Sequence, residues 1–206
     1  MIPARESLER LKEGNRRFVS GTPHQETGAD PNRLGELVEG QEPFAVILGC
    51  SDSRVPVEMV FDQGLGDLFV IRVAGNIVAP SQVGSVEFAA EKFHTRLVVV
   101  LGHTQCGAIT ATLDEMRRPT EIRSRNLRSI VDRIRPALET LVEMDGVIDN
   151  DLLMRQAIRA NVRASVNHLR HGSEVLEELI DREGLMVIGA YYSLQTGQVE
   201  FFEDVS

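Results

Sequence analysis

Three short runs of apolar residues, separated by segments with helical spacing, constrain the fold of this chain more than any other feature. The runs are Phe44–Leu48, Leu68–Val73 and Leu97–Leu101. A continuous apolar run of this length is typical of a strand that is buried on both faces, as in parallel sheets covered by helices. Because strands running in the same direction need crossover connections, the sequence predicts an α/β fold with a mostly parallel central sheet.

The rest of the pattern completes one domain spanning residues 1–206. We expect a fourth parallel strand at Leu185–Tyr191 and, after a turn at Gln195–Gly197, an antiparallel edge strand at Val199–Phe202. Residues 1–35 are predicted to form an N-terminal helical arm. Within that arm the spacing predicts a helix at Arg5–Phe18. Further along the chain we expect a short helix from Pro56 to about Gln63 and another at Ser81–Phe93, with Ser81 as its cap. The stretch from Ile122 to Ile180 is predicted to be mostly helical, with breaks near Gly146 and Gly172.

Composition narrows the class of protein. The chain has 22 basic and 31 acidic residues, a formal net charge of −9. Nucleic acids and anionic membranes require a basic surface, so neither is expected as a partner. The apolar runs are far shorter than the ~20 residues that span a bilayer, and the first residues lack a secretory pattern. We therefore expect a cytoplasmic protein.

Three side chains suited to metal binding follow two of the predicted strands. Cys50 comes after the first strand, and His103 and Cys106 come after the third. Ligands of open parallel sheets bind at the carboxyl ends of the strands, so we expect these residues to lie together although more than 50 positions separate them. Two thiolates and one imidazole favour Zn²⁺, and three protein ligands leave a fourth position for water, as in catalytic zinc sites.

Simpler interpretations of the same residues stay open at this point. Free cysteines are often buried in cores, and a histidine at a strand end is often only hydrogen-bonded. A redox pair usually appears as Cys-x-x-Cys, which the sequence lacks, and a disulfide would require an oxidising compartment.

Asp52 and Arg54 belong to the same segment as Cys50. In extended backbone, residues two apart face the same way, so all three side chains can point at one site. Asp52 can bind zinc as a fourth ligand in a closed state, or accept a proton from a water molecule. Arg54 decides between these by holding the carboxylate in a charge-assisted pair. The alternative is an ordinary surface ion pair.

The segments Cys50–Val55 and His103–Gly107 resemble the paired motifs of the β-class carbonic anhydrases, and the resemblance covers about residues 4 to 110. It implies that Cys50, His103 and Cys106 bind one Zn²⁺ per subunit, with Asp52 and Arg54 as the catalytic dyad. It also implies the activity, which is reversible hydration of carbon dioxide to bicarbonate and a proton by attack of zinc-bound hydroxide.

The same resemblance implies residues of a substrate pocket and a self-associating chain. Gln41 falls where the family has a substrate-binding glutamine, and Phe69 where an aromatic ring lines the carbon dioxide pocket. Phe88 stands where the family often has a tyrosine that is supplied by the neighbouring subunit. We therefore expect a dimer or tetramer, with the arm of residues 1–35 packed on a partner subunit.

One departure and two alternatives accompany this resemblance. Part of the family has an inhibitory bicarbonate site made of Trp, Arg and Tyr; Arg72 and Tyr192 match it, but Ile47 replaces the Trp. One alternative is a carbon disulfide or carbonyl sulfide hydrolase on the same scaffold. The other is a non-catalytic zinc or bicarbonate-sensing module, against which the intact Asp52–Arg54 pair argues.

Overall fold

The central feature of the fold is a five-stranded sheet. The computed structural model describes residues 2–24, 31–118, 124–142 and 149–202. The spatial order of the strands is β2-β1-β3-β4-β5; the first four are parallel, and β5 runs antiparallel to β4. The sheet is the one predicted. The strand bounds are β1 Ala45–Gly49, β2 Leu68–Arg72, β3 Leu97–His103, β4 Met186–Tyr192 and β5 Val199–Phe202.

Helices connect the parallel strands and cover both faces of the sheet. No helix of the described ranges is long and apolar enough to cross a bilayer. A short 3₁₀ turn at Ala74–Asn76 links β2 to the helix that follows it. The helices of the described residues are α1 Ala4–Ser20, α2 Pro31–Glu39, α3 Val57–Val60, α4 Pro80–Lys92, α5 Gly107–Arg117, α6 Arg125–Val142, α7 Asn150–His171 and α8 Glu174–Glu183.

Several helix ends differ from the sequence prediction. Helix α4 begins at Pro80, not after a Ser81 cap, because proline at the first helical position lacks the N–H that would need a partner. Helix α3 ends at Val60, since Asp62 has a φ of 47° that no helix continues. The break at Gly172 is confirmed, whereas Gly146 lies outside the described residues. Helices α2 and α5 were not predicted.

Side chains alternate between two cores, one on each face of the sheet. Ile47 and Val99 face α1 and α3, whereas Val46 and Val98 face α4, α7 and α8. A third cluster lies at the carboxyl edge of the sheet, beneath α5, α6 and α7. This last cluster contains both cysteines and sets the environment of the candidate site.

Helix α1 is anchored on its own chain. Leu8 and Leu11 are buried in the core on its side of the sheet. The Asn15 side chain donates to the carbonyls of Val60 and Gly197, at 3.0 and 2.9 Å, and accepts from the N–H of Val199. These contacts occupy the inner face of α1. Packing of the arm on a partner subunit, which would use the outer face, stays a prediction.

Candidate metal centre

The three predicted ligands meet at the carboxyl edge of the sheet. Cys50 follows β1, His103 is the last residue of β3, and Cys106 immediately precedes α5. One ligand atom from each lies within 4.8 Å of the other two, and all three residues are buried. The strands β1 and β3 are parallel neighbours, so their carboxyl ends lie side by side. The predicted proximity of these residues is confirmed.

The orientation of His103 suits a metal ligand. Its Nδ1 lies 2.8 Å from the Thr104 carbonyl, and so must carry the proton that this carbonyl accepts. Thr104 is itself fixed by a hydrogen bond from its N–H to the Tyr192 carbonyl. The Nε2 atom of His103 is buried and has no hydrogen-bond partner among the described residues. A buried ring nitrogen that has no hydrogen-bond partner and lies beside two thiol sulfurs fits Zn²⁺, which takes this S₂N donor set.

The two thiols share one proton. The Cys106 thiol, assisted by His103 and the Gly75 N–H, lowers the pKa of Cys50 to about 4 although burial opposes the charge. The pKa of Cys106 is raised, because Cys106 donates to Cys50 and because burial disfavours a second thiolate beside the first. In the metal-free pair these shifts favour a thiolate at Cys50 and a protonated thiol at Cys106. A divalent cation would remove the remaining proton.

Asp52 and Arg54 form a two-pronged pair beside these ligands. Arg54 Nε donates to Oδ1 of Asp52 at 2.9 Å and a terminal nitrogen donates to Oδ2 at 2.8 Å. Gln105 orients the guanidinium by accepting from it at its side-chain and main-chain oxygens, each at 3.3 Å. The hydrogen bonds from Arg54 hold the pKa of Asp52 well below its usual range. Oδ2 of Asp52 lies 4.0 Å from His103 Nε2.

Arg72 has a local role that sequence reasoning missed. It donates from Nε to the Cys50 carbonyl at 3.0 Å and from a terminal nitrogen to the Asp52 carbonyl at 2.6 Å. Arg72 ends β2, next to Gly49 of β1 in the sheet register, and so reaches the loop that follows β1. These bonds fix the backbone that carries both a candidate ligand and the dyad. The parallel pairing of β1 with β2 was the only available signal.

The predicted pocket residues lie at the other end of the sheet of the same chain. Gln41 is exposed and precedes β1, whereas Cys50 follows it. Phe69 pairs with Val46 near the start of β2, and its ring lies 6.2 Å from that of Phe88. Phe88 is 52% exposed. The structure thus gathers the two aromatic residues but does not bring them to the candidate metal ligands of their own chain.

Comparison with known proteins identifies the family. Residues 45–199 match the family model described as carbonic anhydrase. Carbonic anhydrase 2 of Mycobacterium tuberculosis (strain CDC 1551 / Oshkosh) is 39% identical over 188 residues, which cover 91% of this chain and 87% of that protein. The β-carbonic anhydrase CafA of Aspergillus fumigatus is 25% identical, with a TM-score of 0.76 over 97% of this chain and 90% of that one. The chain belongs to the β-carbonic anhydrase family.

A second solved β-carbonic anhydrase has the same fold. A tetrameric β-carbonic anhydrase from Sordaria macrospora is 23% identical, with a TM-score of 0.76 over 96% of this chain and 97% of that chain. The β-carbonic anhydrases are zinc enzymes whose activity is the hydration of carbon dioxide. The resemblance noted from the Cys50 and His103–Cys106 motifs is confirmed, and so is the assignment of the chain to a class of enzymes.

Proposed function

We propose that this chain catalyses the reversible hydration of carbon dioxide to bicarbonate and a proton, using one Zn²⁺ per subunit bound by Cys50, His103 and Cys106. The observation that carries the proposal is the buried cluster of these three side chains beside a carboxylate held by arginine. A zinc ion bound there would supply a Lewis acid that lowers the pKa of water and so provides the nucleophile at moderate pH.

The Asp52–Arg54 dyad would orient the water that the zinc binds. An ionised Asp52 has only acceptor atoms, so it would accept a hydrogen bond from the water. That hydrogen bond would turn a lone pair of the water oxygen toward the substrate. Arg54 occupies both oxygens of the carboxylate. With zinc bound, Asp52 would act as a fourth ligand, in the closed state, if its pair with Arg54 broke. By holding the carboxylate, Arg54 would leave a place for water on the metal.

We propose that the substrate pocket is completed across a subunit interface. Gln41 and the rings of Phe69 and Phe88 lie at the end of the sheet opposite the Cys50 of their own chain. The exposure of Phe88 supports contact with another chain, because removing a large apolar ring from water is favourable in free energy. In the assembled pocket, Phe69 and Phe88 form an apolar wall, and the Gln41 amide donates to the oxygen that gains charge.

Self-association follows from this arrangement. A site that takes residues from two copies requires at least a dimer, and a two-fold axis then completes both sites at once. The Sordaria macrospora relative is tetrameric, which supports either a dimer or a tetramer here. We propose that the arm of residues 1–35 contributes to the same interface through the outer face of α1.

Stopped-flow measurement of carbon dioxide hydration tests the proposed function. Zinc-loaded protein should be active between about pH 6.5 and 9, and a sample stripped with a chelator should be inactive until zinc is restored. A Cys106→Ala variant serves as the matched control, because it loses one ligand and leaves the dyad in place. A zinc-replete and inactive wild type would refute the proposal. Turnover of carbon disulfide or carbonyl sulfide by that sample would then identify a sulfur-substrate hydrolase. Bicarbonate binding without turnover would instead identify a sensing module.

A further inference from the structure

Two side chains of α7 hold the turn that contacts the Cys50 sulfur. Asn161 donates from Nδ2 to the carbonyl of Gly75 at 2.8 Å, and Ser165 donates from its hydroxyl to the carbonyl of Asn76 at 3.1 Å. Asn161 and Ser165 are one helical turn apart, are both at most 5% exposed, and lie more than 80 residues from the turn in sequence. The contact is therefore a product of tertiary packing.

The turn that receives this support has an unusual backbone conformation. Gly75 has a φ of 72° and Asn76 a φ of 43°, so two consecutive residues adopt left-handed conformations. Glycine adopts such a conformation freely and asparagine tolerates it better than other L-residues, so few other side chains fit at either position. A Cβ at Gly75 would lie only 2.8 Å from Cδ1 of Ile134, so the surroundings leave no space for a side chain. Packing and the two bonds from α7 fix the turn.

This turn has a direct contact with the metal centre. The N–H of Gly75 points at Sγ of Cys50, with the nitrogen 3.4 Å from the sulfur, and this bond is buried. A hydrogen bond to a thiolate withdraws electron density from it, which weakens its donation to a bound metal. Two thiolates neutralise most of the charge of a divalent cation. A hydrogen bond from a backbone N–H to one of the thiolates would therefore restore part of the Lewis acidity of the cation.

We propose that Asn161 is a positioning residue for the reaction. By holding the Gly75 carbonyl, it keeps the Gly75 N–H against Cys50 Sγ and so sets how strongly that sulfur donates to the metal. Asn161 touches neither the candidate ligands nor the dyad in the contacts described, and it acts only through the backbone of Gly75. The inference rests on the proposed zinc site at Cys50, His103 and Cys106.

The test is the absorption spectrum of the cobalt(II)-substituted protein, whose thiolate-to-cobalt charge-transfer band reports the electron density on sulfur. In Asn161→Ala the band should move to longer wavelength, because a sulfur without its N–H bond gives up an electron more easily. Ser165→Ala should move the band in the same direction by less, and it replaces Asn161→Ala if that variant does not fold.

Two controls separate positioning from general loosening of α7. Leu169→Ala truncates a fully buried side chain of α7 two turns from Asn161, and Asn167→Ala removes an exposed amide from the same helix. Both should leave the band where it is in the wild type. An unshifted band in both Asn161→Ala and Ser165→Ala would overturn the inference, as would an equal shift in Leu169→Ala. The band does not require turnover, so an inactive wild type with the expected shift refutes only the proposed function.

Discussion

Both oxygens of the Asp52 carboxylate accept hydrogen bonds from Arg54, Oδ1 from Nε at 2.9 Å and Oδ2 from a terminal nitrogen at 2.8 Å. The Arg54 side chain is 49% exposed, so this pair contributes little to the stability of the fold. Its consequence is positional. The pair keeps the Asp52 carboxylate ionised and fixes its orientation. Oδ2 of Asp52 then lies 4.0 Å from Nε2 of His103, which has no hydrogen-bond partner among the described residues.

Removing Arg54 should therefore impair the reaction without unfolding the protein. In Arg54→Ala the Asp52 carboxylate is free to turn toward the metal and to displace water, so carbon dioxide hydration should fall about 10²-fold. Stopped-flow rates and zinc content measured on the same sample would check this. Arg182→Ala removes an exposed arginine that pairs with Glu178 on α8, and should retain full activity. Unchanged rates in Arg54→Ala would contradict the dyad.

Zinc binding to the stripped protein should release about one proton per metal between pH 7 and 8, not two. The reason is that the lowered pKa of Cys50, about 4, leaves it a thiolate throughout this range, whereas the raised pKa of Cys106 keeps that thiol protonated until the metal binds. Calorimetric titrations in buffers of different ionisation enthalpy give the proton count. Release of two protons would show that both thiols are neutral in the metal-free protein.

Gly75→Ala should destabilise both the fold and the metal site. The substitution places a side chain at a φ of 72°, which costs about 1–2 kcal/mol, and its Cβ would lie 3.0 Å from that of Ala108. Thermal unfolding should therefore shift to lower temperature and zinc affinity should fall. Gly84→Ala, within α4 and with open space around it, should instead be neutral or stabilise by up to about 1 kcal/mol. An unaltered unfolding midpoint in Gly75→Ala would count against this requirement for glycine.

Mixing two inactive variants should recover activity if the pocket spans two subunits. Cys106→Ala lacks a ligand, and Gln41→Ala lacks the proposed substrate contact while altering only an exposed side chain. After subunit exchange, each hybrid dimer contains one complete site, so a 1:1 mixture should reach about a quarter of the wild-type rate. Unmixed samples and a mixture assayed before exchange are the controls. A mixture no more active than its components would place Gln41 in its own subunit's pocket or outside any pocket.

The sequence by itself determined the sheet and which candidate metal ligands would meet beside it. Short continuous apolar runs separated by helical segments are typical of covered parallel strands, and the carboxyl ends of such strands lie at the same end of the sheet. From those two rules the meeting of Cys50 with His103 and Cys106 follows without coordinates. The pairing of Asp52 with Arg54 was expected from extended backbone, whereas the structure forms it in a turn, where the N–H of Arg54 also donates to Oδ1 of Asp52 at 3.0 Å.

The tertiary structure decided the parts that depend on long-range packing. The pattern of α7 predicts a helix, but only its seating across the sheet brings Asn161 to Gly75, and only the register of β1 with β2 brings Arg72 to Cys50. The same register separates Phe69 from the metal centre of its own chain. Local sequence determines backbone periodicity and burial, whereas hydrogen bonds between distant residues depend on how whole elements pack, which no short segment encodes.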